Sequence, residues 1–291
     1  MNRIDPPEEA TVAIVFALSA AVAYGSADFV GGLASRRTPP VAAAFGAQVG
    51  GLLLLLVALP AVGGSVEPRH LLVGAAAGVF GGVGLVLLYR ALARGPMSLV
   101  APTTALSASM VPIVAGVLLG ERPGPVTFVG IAVSLVAVVL ITREPSVPGA
   151  VAGADRRVLG LALAAGAIFG SFFVVLHQAG DGAGLWPLLG ARLVSVPLLL
   201  VLARRQAAAL AWTDPSTLPR VLLSGTLDMA ANIAYLLALR HGMLAVVAAI
   251  TGLYPASTVL LAQARLEERL HRTQLTGLAT AAFAAVLIAV A

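Results

Sequence analysis

"ALARGPMSLVAPTTALSASMVPIVAGVLLGER" occupies residues 91–122, and "ALRHGMLAVVAAITGLYPASTVLLAQARLEER" occupies residues 238–269. A shift of 147 residues carries Ala91-Leu92, Gly95, Val100, Leu106 and Glu121-Arg122 onto Ala238-Leu239, Gly242, Val247, Leu253 and Glu268-Arg269. The same shift carries Gly130 and Val139-Leu140-Ile141 onto Gly277 and Val286-Leu287-Ile288. Alanine-rich helices match by chance, so the glycine and charged positions carry the weight. Nearer the start, Ala17, Leu18, Ala20 and Tyr24-Gly25-Ser26 match Ala162, Leu163, Ala165 and Phe169-Gly170-Ser171 at a shift of 145. The chain is a duplicated unit.

Apolar runs long enough for helical spans lie at 11–33, 40–60, 70–92, 97–119, 126–142, 158–178, 185–203, 219–240, 243–264 and 273–291. Their connectors are short and carry Pro, Gly or Arg, as in "SRRTPP" and "GERPGP". The expected organisation is a five-helix repeat over 11–142, a linker over 143–157 and a second five-helix repeat over 158–291. Five is odd, so the second copy must enter the membrane with the opposite polarity. The expected fold is therefore an all-α membrane protein of ten transmembrane helices in two inverted repeats. That architecture belongs above all to secondary transporters, whose substrate lies near the midplane while the halves rock around it.

Composition agrees. The 291 residues are 59% hydrophobic and 11% charged, with a mean hydropathy of +0.98, which nearly excludes a soluble globular domain. All 18 basic residues are arginine. Without lysine there is no P-loop and no Schiff base, so the energy must come from gradients or a partner. The pI near 10.6 suggests nucleic acid only in a soluble protein. Here the arginines stand singly or in pairs between apolar runs, as topology requires, and nucleic acid is not an expected partner. Zero cysteines exclude a disulfide framework and thiolate sites. The start, MNRIDPPEEA, is mixed to acidic and precedes a run of full span length, the pattern of a first span and not of a cleaved signal.

The motifs "YGSADF" and "FGSFF", the stretch from Tyr89 to Gly130, and the paired "LLGER" and "RLEER" resemble the EamA-type branch of the drug/metabolite transporter superfamily. The resemblance covers almost the whole chain. It implies ten helices, two inverted repeats and export or exchange of small metabolites such as amino acids, drugs and nucleotide sugars. Two departures stand out: the family often has Asn where Asp28 stands, and a second-helix Arg where the first half has Gln48. The second half keeps that arginine as Arg192.

Thirteen arginines fall in the connections that follow odd-numbered spans, against four on the side of the termini, with Arg192 inside the seventh span. The positive-inside rule then places the odd connections in the cytoplasm of a bacterial-type inner membrane. Many relatives are instead thought to keep both termini in the cytoplasm; the arginine count is followed here.

Polar groups inside spans mark function by default. Asp228 shares a helix face with Ser224, Asn232 and Tyr235. Arg192 lies at comparable depth, and a pair between them serves either as a structural clamp or as a binding or proton-coupling group. Asp28 lies one turn beyond Tyr24. It either anchors to Arg36 or Arg37 near the helix end, or faces a cavity with Tyr24, opposite Phe169 and Phe173 at the matching places of the second repeat. Several of Tyr89, Tyr235, Tyr254 and Trp186 are also expected along the route, although Trp186, near a helix start, reads first as an interfacial anchor. Tyr254 sits between Gly252 and Pro255, where the backbone is expected to break; Pro102 and Pro112 in the fourth span either do the same or only bend it. Gly74, Gly78 and Gly82 form two GxxxG steps for close packing.

The expected function is a non-enzymatic secondary exporter of small organic solutes, aromatic or neutral amino acids among them, without cofactor or metal, with proton coupling open and a monomer as default. A lipid-carrier flippase and multidrug or quaternary-amine efflux are the alternatives on the same fold. The expected substrate-binding residues are Tyr24, Asp28, Phe169, Phe173, Arg192, Asp228, Asn232 and Tyr254, with membrane lipid as the surrounding partner.

Overall fold

The computed structural model describes residues 7–95, 97–141, 156–205, 217–266 and 272–290. Among these residues the chain is all helical: α1 (Pro7–Ser35), α2 (Pro40–Ala58), α3 (Pro68–Leu92), α4 (Met97–Leu118), α5 (Pro125–Ile141), α6 (Arg156–His177), α7 (Trp186–Arg205), α8 (Thr217–Leu239), α9 (Leu244–Thr251), α10 (Pro255–Leu266) and α11 (Arg272–Ala289). Nine segments among them are long and apolar enough to cross a membrane, with α9 and α10 together forming one. Helix α5 is shorter, at 17 residues. Large apolar side chains such as Leu53, Val57, Leu72, Leu118, Leu193, Phe283 and Val286 cover the outside of the bundle. In water such a surface would aggregate, whereas in lipid it is the surface required.

Glutamate 268 and Arg269, and most of the expected linker, lie outside the described residues. The ninth span breaks at Gly252–Tyr254, where the sequence places Gly and Pro. Helix α4, in contrast, runs unbroken through Pro102 and Pro112, so of the two readings left open for these prolines the break is the one that does not occur. The carbonyl of Ala108, which Pro112 leaves without its helical donor, is packed by Gly170 of α6, while the hydroxyls of Thr104 and Ser107 donate to Ala162 and Leu163 at 3.3 and 2.9 Å. The neighbouring helix thus supports the proline-containing segment.

Helix pairing follows the repeat. The main neighbours are α1 with α8, α3 with α6, α2 with α8, α3 with α7, α4 with α6, α1 with the α9–α10 unit, α2 with α7 and α5 with α11. Exchanging each span with its counterpart five spans away leaves this scheme unchanged. Small residues permit the close approaches. Gly74, Gly78 and Gly82 meet Pro187, Ala191 and Ser195 of α7, so the GxxxG face is a packing face, and a Cβ at Gly225 of α8 would collide with the Ala47 carbonyl of α2.

Candidate functional site

Three helices of the second repeat and two of the first are fastened before any site forms. On α1, the carbonyls of Ala17, Ala21 and Gly25 recur every fourth residue along one face. They accept from the hydroxyls of Thr251, Ser257 and Thr258, at 3.4, 3.0 and 3.1 Å. These bonds hold the break in the ninth span against α1, and Gly25 lacks the Cβ that would strike the Tyr254 carbonyl. Ser224 of α8 donates to the Ala27 carbonyl at 2.9 Å and lies 3.0 Å from the Tyr89 hydroxyl. Tyr89 is engaged in this contact and does not line the hollow, a correction to its expected place on the route; Trp186, at the start of α7, does not line it either.

Between the fastened helices lies a hollow with about 70 Å³ of space open to the centres of water-sized molecules, lined from both repeats. All eight expected site residues, Tyr24, Asp28, Phe169, Phe173, Arg192, Asp228, Asn232 and Tyr254, line it. The anchor reading of Asp28 is thereby corrected: its side chain faces the hollow and makes no hydrogen bond or ion pair to a described residue, so neither Arg36 nor Arg37 holds it.

Asp228 is the opposite case. Its Oδ2 accepts from Arg192 Nη2 at 2.9 Å and from Asn232 Nδ2 at 3.2 Å. Arg192 Nη1 also donates to Gln48 Oε1, which accepts from Ser195 Oγ at 2.9 Å. Gln48, the departure from the family pattern, is thus the neutral partner of the arginine retained in the second repeat. Ser195 and Ser224 therefore tie the helices together, and only Asn232 and Tyr235 of Asp228's expected face reach the hollow.

The aromatic residues form a continuous chain. The rings of Tyr254 and Tyr24 lie 6.4 Å apart, Tyr24 and Phe173 meet edge on at 6.0 Å, and Phe173 stacks on Tyr235 at 4.3 Å with 29° between planes. Phe172 meets Phe173 at 5.3 Å. Among the described residues, four buried polar atoms without a hydrogen-bond partner belong to side chains that line the hollow: the Tyr24 and Tyr235 hydroxyls, Asn232 Oδ1 and Arg192 Nε. Buried polar atoms are ordinarily satisfied, and a cluster of exceptions beside a hollow suits a guest that supplies the missing partners. No group of three or more His, Asp and Glu gathers among the described residues.

Sequence reasoning missed Gly81, Leu85, Leu88, Phe172, Ala248 and Thr251 as lining residues. The signal for three of them was present, because the 147-residue shift carries Gly81, Leu85 and Leu88 onto Asp228, Asn232 and Tyr235.

Comparison with known proteins follows the same duplication. The sequence pattern of the EamA-like transporter family matches residues 11–143 and again 156–290. None of the curated proteins matches the chain. Among solved structures 28 chains match. One of these, described only as the crystal structure of a protein, is 17% identical over 95% of this chain and 96% of its own, with a TM-score of 0.75; it shares the fold.

Proposed function

As a member of the EamA-like transporter family, and so of the drug/metabolite transporter superfamily, the chain is a multi-pass membrane transporter, and we propose that it exports small organic metabolites by alternating access. Its substrates combine an apolar body with a polar head, a class that includes aromatic and other neutral amino acids. The observation that carries this reading is the hollow built jointly by the two repeats and edged with unpartnered polar atoms. A site at such an interface is exposed to either side by rocking one repeat against the other.

Five spans in each repeat and a neighbour scheme unchanged by exchange support an inverted arrangement of ten helices. Chain order then puts the α2–α3, α4–α5, α6–α7 and α8–α9 connections at one end of the bundle, the end of both termini. That end is tied across the repeats. Ser65 N donates to the Gly182 carbonyl at 3.0 Å, Arg69 to the Gln178 carbonyl at 3.2 Å, and Glu121 accepts from Leu244 N and Ala245 N at 2.6 and 2.9 Å. We assign this as the shut side. The arginine count places the opposite end in the cytoplasm of a bacterial-type inner membrane, with a single chain as the working unit.

Tyr24, Asp28, Phe169, Phe173, Asp228, Asn232 and Tyr254 bind the solute, and Arg192 shapes the site through Asp228. Asp28 is the carboxylate available to carry a coupled proton, since Asp228 is held by Arg192 and Asn232. Counterflow in proteoliposomes with labelled amino acids and amines, run against labelled lipid, tests the function. Saturable exchange of a small solute is expected; movement of lipid alone would replace this reading with that of a flippase.

A further inference from the structure

The hollow has two unlike walls. The 147-residue relation pairs Gly81, Leu85 and Leu88 of α3 with Asp228, Asn232 and Tyr235 of α8, and all six line it. The 145-residue relation pairs Asp28 of α1 with Phe173 of α6. Helix α1 packs on α8, and α3 on α6. Every polar member of these pairs therefore falls on the α1–α8 side. The α3–α6 side answers with glycine, leucine and phenylalanine. Duplication built two equal walls, and substitution has made one acidic and the other apolar.

The charges do not cancel. With Asp28 ionised, the two carboxylates, Asp28 and Asp228, and the one guanidinium, Arg192, that line the hollow leave one negative charge in excess. Both terminal nitrogens of Arg192 are committed, to Gln48 and Asp228, and Asp228 is committed to Arg192 and Asn232. Asp28 alone has no partner among the described residues. An unpaired carboxylate removed from bulk water is expensive; a proton removes that expense in the empty site, and a cationic ligand removes it by taking the proton's place. A substrate carboxylate finds no such welcome. The remaining Arg192 Nε–H has no partner among the described residues, but a group reaching it would share the guanidinium with Asp228 and be repelled.

Resting on the transporter reading and narrowing it, we propose that the hollow selects an organic monocation with a flat apolar body. Its amine nitrogen pairs with Asp28, and its body lies against Phe169, Phe172 and Leu85. Tyr24 and Tyr254 flank the nitrogen and add cation–π attraction. Within the family's range of small metabolites, the amine is the preferred form over the amino acid that carries the same ring.

The test uses three ligands with one ring and three charge states: 2-phenylethylamine as cation, phenylalanine as zwitterion and phenylacetate as anion. Calorimetry on the purified full chain is expected to give the amine a Kd at least about ten-fold below that of phenylalanine, with phenylacetate weaker still. Asp28→Asn is expected to erase the preference, and Asp28→Glu to retain it. Equal or tighter binding of phenylalanine by the unaltered chain would overturn the proposal, as would an Asp28→Asn variant that keeps the preference. If that variant does not fold, the three-ligand series on the unaltered chain decides alone. Proteoliposome uptake separates the two readings. An amine that binds but is never carried ends the reading of this hollow as the transport site and leaves the ligand class standing; saturable phenylalanine transport without amine preference does the reverse.

Discussion

At the scale of the residue, Arg192 is the hinge of the site's chemistry. It is buried and its two terminal nitrogens hold Gln48 and Asp228, and Gln48 in turn holds Ser195. Arg192→Ala leaves Asp228 as a second uncompensated carboxylate. We expect it to destabilise the chain by about 3–5 kcal/mol, read as a lowered midpoint in thermal unfolding in detergent. Phe173→Ala removes the stacking on Tyr235 and the edge contact with Tyr24. It should destabilise the fold by about 0.5–1.5 kcal/mol beyond the lost area, read as a lowered midpoint of thermal unfolding in detergent. The pair between Arg192 and Asp228 was legible in the sequence because each is an isolated charge at similar depth in an apolar helix. The isolation of Asp28 was not. Its position one turn from Tyr24 fitted an anchor and a cavity group equally, and only the rotation of α1 about its axis separates them. Contacts with Thr251, Ser257 and Thr258, more than 220 residues away along the chain, set that rotation.

At the scale of the element, the broken ninth span concentrates the functional constraints. All eight residues of α9 are buried, and no side chain at its N-cap, Met243, satisfies the first amides. The carboxylate of Glu121, 123 residues earlier, does so instead, with one oxygen on Leu244 N and the other on Ala245 N. A carboxylate there also complements the positive end of the helix. Glu121→Ala should therefore cost about 0.5–2 kcal/mol, visible as a fall in unfolding midpoint, with Glu121→Asp recovering part of it. The break was legible because Gly252 and Pro255 flank Tyr254, the glycine permitting close approach and the proline starting α10. The continuity of α4 was not legible from its prolines. Whether a proline breaks a span depends on what packs against it, and Gly166 and Gly170 of α6 admit the α4 backbone closely enough to support it. The repeated Glu-Arg motif flagged Glu121 without revealing its partner, because the partner is backbone and carries no residue signature.

At the scale of the whole molecule, the duplication organises everything else. The neighbour scheme, the hollow and its paired lining positions all follow from one unit used twice, which the spacing of glycines and charges disclosed. What the repeat could not disclose is where the two copies differ in use, since Gly81 and Asp228 occupy matching places with opposite chemistry. The central claim is that the halves part at one end to release a solute from the hollow. Gly64 and Gly184 adopt left-handed backbone at φ 147° and 57° and lie so close that a Cβ on Gly64 would strike the Gly184 backbone and one on Gly184 the Gly63 carbonyl; nearby, Ser65 N donates to the Gly182 carbonyl at 3.0 Å. The chain contains no cysteine, so Ser65→Cys with Gly182→Cys introduces a single reversible lock in an otherwise unreactive background. The decisive measurement is solute flux through proteoliposomes of this double variant, oxidised and then reduced. The account predicts that oxidation stops flux while ligand binding survives, and that reduction restores flux; full flux through completely cross-linked protein would contradict it.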